Sequence, residues 1–330
     1  TIVYEVTGKV VPPAGIPLNV GCVVNNVATL YGIYEAMEGR PFTQKYLTVT
    51  GEVKYPVIAK VPIGTPVGEC LKLAGGPLLS DYVVVNGGPM MGKLMTKEEA
   101  ESAYVTKTMS GLIVLSTDSS IARRSEVTLK HMLNRAKSAC IQCSFCSQLC
   151  PRALLEPHRI MRKLSSCRDL TEILDDRDVR NAALCCECGI CEVYACPMGL
   201  QPRKVNSLLK GELARAGIRY QRTEGEWEPD PNRNMRKAPT ARVASRAGVA
   251  AFEEIRIDEL KEITPASSGT VRLALRQSIG APSQPVVKDG ERVEEGQLIA
   301  VCPEGSLGSA LHASISGVAV LEEQYLEIRP

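Results

Sequence analysis

The sequence predicts a multidomain α+β protein, and three observations carry that prediction. At 330 residues the chain exceeds what one compact core serves and reads as roughly two to four domains. Short β-rich runs punctuated by glycine and proline occupy residues 46–95 and the tail beyond 270. Between them, helical patterns bracket two dense runs of cysteine.

Composition narrows the class. Hydrophobic residues at 44% and charged residues at 23% are those of an ordinary globular protein. The longest apolar stretches, "YVVV" (82–85) and "GLIVL" (111–115), fall far short of the roughly 18–20 residues of a membrane helix, so no transmembrane segment is expected. No basic segment followed by an apolar one opens the chain, so a reducing, cytoplasmic setting is expected. A net charge of +2 argues against a nucleic-acid surface. In such a setting thirteen cysteines read as metal ligands rather than disulfides.

Residues 1–45 open on a strand-like "TIVYEVTG", and a chain beginning at Thr1 reads as a fragment or a processed product. Residues 46–112 alternate β-runs with turns and hold one short helix near Gly68–Ala74, the pattern of a small β-grasp domain. Within it "NGGPMMG" (86–92) is a tight loop rather than a phosphate loop, because no helix follows. Residues 125–218 form a helical module, from "SEVTLKHMLNRAKSAC" through "EPHRIMRKLSS" and "DRDVRNAALCC" to "PRKVNSLLKGELARAG". Residues 222–247 are polar, proline-bearing and aperiodic, which is linker composition; their basic residues from Arg233 to Arg246 read as a solvated face. Residues 248–330 end the chain as an all-β domain with turns at "KDGE" and "PEGSLGS".

The cysteine spacing carries the chemistry. Cys140, Cys143, Cys146 and Cys150, followed by Pro151, make the C-x2-C-x2-C-x3-C-P run of bacterial ferredoxins. Cys185, Cys188, Cys191 and Cys196, followed by Pro197, repeat it with one extra residue before the last cysteine. Cysteines at every third position let a tight loop wrap three corners of an iron–sulfur cube, with the fourth corner reached from elsewhere. Zinc would call for paired cysteines separated by a longer insert, so two [4Fe-4S] clusters are expected. In two-cluster ferredoxins the cysteine before proline serves the other cluster. That assigns Cys140, Cys143, Cys146 and Cys196 to one cluster and Cys185, Cys188, Cys191 and Cys150 to the other. Cys22, Cys70, Cys167, Cys186 and Cys302 read as small buried hydrophobes, although Cys186 competes with Cys185 as a ligand. His131, His158 and His312 share no ligand spacing.

The order of "LNVGCVVNN", "TVTGEV…VPIGTPV…AGG…NGGPMMG", two ferredoxin quartets and "VVKDGERVEEGQLIA…LHASISG" resembles the RnfC-related family of flavin and iron–sulfur electron-transfer proteins. With the last block at the C-terminus it is similar to the cobalamin-reductase branch of that family, over nearly the whole chain. The resemblance implies a β-grasp (SLBB-like) domain, a helical two-[4Fe-4S] ferredoxin module and a C-terminal barrel-sandwich hybrid. It implies an oxidoreductase carrying electrons from NADH through FMN and the clusters to a corrinoid or an adenosyltransferase, beside the shell or enzymes of a bacterial microcompartment, as monomer or oligomer. An RnfC-like subunit of an NAD:ferredoxin oxidoreductase complex and a non-catalytic relay or scaffold module are the alternatives. "PLNVGCVVNNVATL" (17–30) is similar to the FMN-contacting stretch of the NADH-oxidising subunit of respiratory complex I, which implies that Asn25, Asn26 and Thr29 face flavin oxygens. Read alone, the same residues are caps of a strand-to-helix turn. On this reading residues 1–45 are the remnant of a flavin and NADH domain whose Gly-rich segment is missing, and the chain by itself is expected not to oxidise NADH. No lysine occupies "CPEGSLGS", so no covalently attached cofactor is expected in the tail.

Overall fold

The structure, a computed structural model, describes residues 2–220, 225 and 227–330. It divides into two compact units, residues 1–25 with 123–253 and residues 26–122 with 254–330.

The second unit is built on a six-stranded sheet. Its strands are β1 (Gln44–Gly51), β2 (Val57–Pro62), β3 (Tyr82–Asn86), β4 (Lys93–Thr96), β5 (Gly111–Ser116) and β6 (Leu260–Glu262), in the spatial order β4-β3-β5-β1-β2-β6. β1 and β2 form an antiparallel hairpin, and β5 runs parallel to β1. β6 runs parallel to β2 from the far side of the sequence. Alternation buries Leu47 and Val49 on β1 and Val57, Ala59 and Val61 on β2 against Val67, Cys70 and Leu71 of the helix Val67–Leu73. The chain closes β1 at Gly51 (φ +92°), where a Cβ would be driven into the carbonyl of Val114. "NGGPMMG" joins β3 to β4 as a tight loop, with Gly92 donating to the carbonyl of Gly88.

The tail continues as β7 (Val271–Ala274), β8 (Gln284–Pro285), β9 (Arg292–Val293), β10 (Leu298–Val301), β11 (Leu311–His312), β12 (Gly317–Leu321) and β13 (Tyr325–Arg329). They form two small sheets, β11-β10-β8 and β7-β13-β12-β9. Val271, Leu273, Ile299, Leu311, Ile315, Leu326 and Ile328 fill the space between them, joined by Ile63.

The first unit is helical. Thr128 caps the helix Leu129–Ala139, accepting from the amide of His131. Proline starts the helices Pro157–Leu164 and Pro202–Arg215 at the position that needs no amide donor. Pro157, Ile160, Met161 and Leu164 bury one stripe, and Pro202, Val205, Asn206, Leu209 and Leu213 another. Ile160, Met161, Leu164, Val205, Leu209 and Leu213 join Met132, Leu133 and Ala136 in one core.

Two local readings are corrected. "TIVYEVTG" is a helix over Ile2–Thr7, not a strand: Arg233 stacks on Tyr4 at 4.6 Å and pairs with Glu5. Those contacts, with Val3 buried, outweigh the β-preference of its branched residues. The stretch 222–247 carries a helix over Thr240–Ala247 and a turn of 3-10 helix over Arg233–Arg236; its residues 222–224 and 226 lie outside the described residues. A buried Ala247 and a Gly248 cap in the left-handed region supply the stop that composition concealed.

Candidate metal centre

The two cysteine runs form loops of one conformation. In the first, Gln142 and Ser144 flank Cys143 with φ of +53° and +61°; in the second, Glu187 and Gly189 flank Cys188 with φ of +58° and +79°. The left-handed residues stand two and four places after Cys140 and two and four places after Cys185, which makes Cys185, and not Cys186, the counterpart of Cys140. Left-handed turns on both sides of the middle cysteine curl the backbone around its side chain. Gln142, Ser144 and Glu187 adopt them without glycine's freedom, a strain that loops bear at functional sites.

Cys140, Cys143, Cys146 and Cys196 line one cavity with Ile141, Met161, Pro197 and Met198. Cys150, Cys185, Cys188 and Cys191 line a second with Leu155, Pro157 and Ile190. Each wall thus joins the first three regularly spaced cysteines of one run to the last cysteine of the other. Cys186 also lines the second cavity, so it is not the inert core residue that its position outside the spacing suggests. Of the other four, Cys70 and Cys167 are buried, whereas Cys22 and Cys302 are only partly so.

Hydrogen bonds are aimed at the sulfurs. The amide of Glu187 donates to Cys185 Sγ and that of Leu200 to Cys196 Sγ, both at 3.4 Å, and Gln142 Nε2 donates to Cys140 Sγ at 3.0 Å. Burial pushes the Cys146 thiol up to about 12 and the Cys150 thiol up to about 11, and it raises Cys185 and Cys191 as well. Such thiols give up their protons only to a metal that repays the burial of charge. The neighbouring Cys188 thiol first, and then the Arg152 guanidinium, hold the Cys186 thiol below its ordinary value. Among the described residues, no three His, Cys, Asp or Glu are placed to hold a single metal ion. Two rings of four soft sulfur donors standing back around cavities suit an iron–sulfur cube better than one tetrahedral ion.

The second cavity carries polar side chains that the first lacks. Arg152, Arg203 and Asn206 stand in its wall. Asn206 is completely buried and neither of its amide atoms finds a hydrogen-bond partner among the described residues. It occupies a core position in the apolar stripe of "PRKVNSLLKGELARAG". Glu192, next to Cys191, is buried and accepts from Arg203 Nε at 2.8 Å and from the Lys204 amide at 3.2 Å.

His158 lies in the wall of the first cavity, bonded through Nδ1 to Ser147 Oγ at 2.7 Å. An open cleft shares Ser144 and His158 with the first cavity's wall and Arg152 and Leu155 with the second's, and it adds Arg177, Arg219 and Tyr220.

Asn25, Asn26 and Thr29 stand in neither cavity's wall. Asn26 caps the helix Val27–Met37, its Oδ1 accepting from the Ala28 amide at 2.9 Å, and all three residues are exposed. That helix buries none of its residues, leaving Val27, Leu30, Ile33 and Tyr34 open.

Comparison with known proteins agrees with this geometry. Residues 46–94 match the SLBB domain, residues 139–201 the 4Fe-4S dicluster domain and residues 245–327 the RnfC barrel sandwich hybrid domain. The chain is 38% identical over 333 residues to cobalamin reductase PduS of Citrobacter freundii and 39% identical to that of Salmonella typhimurium (strain LT2). Both alignments cover 99% of this chain and 71% of the relative. It is 32% identical over 151 residues to a component of the ion-translocating oxidoreductase complex of Erwinia tasmaniensis, across 45% of this chain and 17% of that component. With all three domains in one chain and similarity along nearly its full length, the protein is an iron–sulfur oxidoreductase that belongs to the cobalamin reductase PduS family of RnfC-related proteins.

Proposed function

We propose that this chain passes electrons from NADH, by way of FMN, through two [4Fe-4S] clusters to a corrinoid, supporting adenosylcobalamin regeneration inside a propanediol-utilisation microcompartment. The observation that carries the reading is the pair of four-cysteine walls in a chain 38% identical to a cobalamin reductase. Cys140, Cys143, Cys146 and Cys196 would hold one cluster, and Cys150, Cys185, Cys188 and Cys191 the other. Bound clusters supply one-electron steps, which allow a two-electron hydride donor to feed a one-electron acceptor such as cobalt. The chain's own part is to hold the cysteines in two partly buried walls and to leave the cleft beside both walls open to an acceptor.

Residues 2–45 supply the flavin side of this reading. The side chains of Asn25 and Thr29 make no hydrogen bond among the described residues, and Nδ2 of Asn26 is left over from its capping role; all three suit phosphate or ribityl oxygens. The uncovered apolar face of the helix Val27–Met37 supports its packing against a further flavin- and NADH-binding portion.

The test is anaerobic reduction of the iron-loaded chain with NADH and FMN, in the presence of hydroxocobalamin. Bleaching of the cluster absorbance followed by formation of cob(II)alamin is the expected result for a protein that includes the flavin portion. Clusters that respond to dithionite and never to NADH, even in such a protein, would replace this reading with a relay or scaffold module. The similarity to a component of an ion-translocating complex favours a second reading, a chain that hands its electrons to a partner protein, and that reading predicts cluster bleaching with no cobalamin reduction.

A further inference from the structure

The two cavities are electrostatically unequal. No side chain with a permanent charge stands in the wall of the first, whose members besides cysteine are apolar or neutral, with His158 as its one titratable group. Arg135 reaches that wall only from behind, donating to the carbonyl of Met198. Around the second cavity three cations gather. Two are answered by acids: Arg203 by the buried Glu192, and Lys210 by Glu187 at 3.2 Å. The third, Arg152, pairs with no acid among the described residues: it lies against the Cys186 thiol, which it holds down, and its Nε is buried without a hydrogen-bond partner. Asn206 adds a buried amide that lacks a partner of its own.

A [4Fe-4S] centre held by four thiolates is an anion that gains a further negative charge on reduction. A cation that no carboxylate answers, and a buried amide beside the cysteine sulfurs, favour the reduced form, because the potential of such a centre follows local charge, hydrogen bonding to sulfur and exposure. Arg152 is half-buried and also lines the open cleft, so water screens its charge only in part.

We propose that Arg152, aided by Asn206, sets the cluster of the second cavity at the higher reduction potential, so that an electron entering the module passes from the first-cavity cluster, which is oxidised, to the second-cavity cluster, which is reduced. Arg152 acts through the cluster's surroundings and is a positioning residue. The inference rests on the assignment of the two cysteine rings to two clusters. It also places the electron-holding cluster behind Arg152, at the wall of the open cleft.

The experiment is a dithionite potentiometric titration of the iron-loaded full chain, followed by electron paramagnetic resonance, for the unaltered protein, Arg152→Gln and Arg152→Lys. Signals are assigned with Cys188→Ser, which spares the first cluster, and Cys143→Ser, which spares the second. The expected result is that Arg152→Gln lowers the higher of the two midpoints by at least a tenfold change in the reduced-to-oxidised ratio, about 59 mV for one electron, and leaves the lower one in place. Arg152→Lys should restore most of the shift. A midpoint unmoved in Arg152→Gln, with iron content intact, overturns the proposal while leaving the two-cluster reading standing, and so does a shift confined to the cluster that survives Cys188→Ser. A chain that binds no iron at either ring overturns both.

Discussion

Glu192 and Arg203 form an ion pair at 2.8 Å in which the carboxylate side chain keeps only 3% of its surface exposed and the guanidinium 30%. Glu192 follows Cys191, and Arg203 stands in the second cavity's wall on the helix Pro202–Arg215. The pair therefore ties the second cysteine loop to the helix behind it. Removing one partner leaves the other charge poorly solvated, which costs about 3–5 kcal/mol for a fully buried pair and less here because Arg203 keeps some water. Glu192→Ala should lower the melting temperature of the iron-loaded protein, and Glu192→Ala with Arg203→Met should recover part of the loss. Calorimetry on the two variants decides it; equal losses would mean that the pair is not coupled.

The crossed arrangement of cysteines is open to a direct count. Cys150→Ser with Cys185→Ser alters one cavity only, so about four irons per chain, one [4Fe-4S] centre, should remain. Cys140→Ser with Cys150→Ser alters both cavities and should leave neither centre intact. Iron analysis giving the opposite pattern would mean that each run supplies all four ligands of its own cluster.

Cys186→Ser separates the two neighbouring thiols. Because Cys185 occupies the position matched to Cys140 between the left-handed residues, Cys186→Ser should keep about eight irons per chain, four in each centre. Cys185→Ser should lose the second-cavity signal from the electron paramagnetic resonance spectrum. Full retention of that signal in Cys185→Ser would identify Cys186 as the ligand.

Gly51→Ala strikes the other unit. The residue sits at φ +92°, and its Cβ would meet the backbone of Val114 across the parallel β1–β5 pair. Left-handed strain and the backbone clash together cost roughly 2–5 kcal/mol. Thermal unfolding should fall by about 2–4 °C for each of those kilocalories, with iron content unchanged. An unaltered melting curve would show that the strand pair opens without cost.

Acid should weaken the tail domain through Glu327. This carboxylate lies between Arg329 and Arg272 at 2.7 and 3.1 Å, and Arg272 is itself held between the rings of Tyr104 and Tyr325. Hydrogen bonds from Arg329 first, then from Arg272, hold Glu327 below its ordinary value of 4.5. A depressed carboxylate contributes stability that is present above the unfolded value and lost as pH falls through the folded one. Stability should therefore decline below pH 4.5, and Glu327→Gln should flatten that part of the curve. Identical acid limbs for the two proteins would remove Glu327 from the account.

What is legible in the sequence is what is local. Cysteines three apart, proline at the first turn of two helices and alternating residues in β1 and β2 each act within a few positions, so their consequences can be read directly. Arg152, Asn206 and the Glu192–Arg203 pair matter through the walls they share, and nothing in their immediate neighbours announces those walls. The helix Ile2–Thr7 escapes for a similar reason, since Arg233, more than two hundred positions away, holds it. Cys186 breaks the spacing, yet adjacency to Cys185 brings it to the same cavity.

β6 reaches β2 only after the whole cysteine-bearing stretch has been passed: Ile58 lies beside Leu260, and Lys60 bonds Glu262 at 2.7 Å. During synthesis the edge of β2 therefore stands open until the ribosome has delivered both cysteine loops. An open strand edge invites pairing with other chains, and contacts so distant in sequence form slowly. The sheet of one unit thus cannot close until the chain of the other has been made.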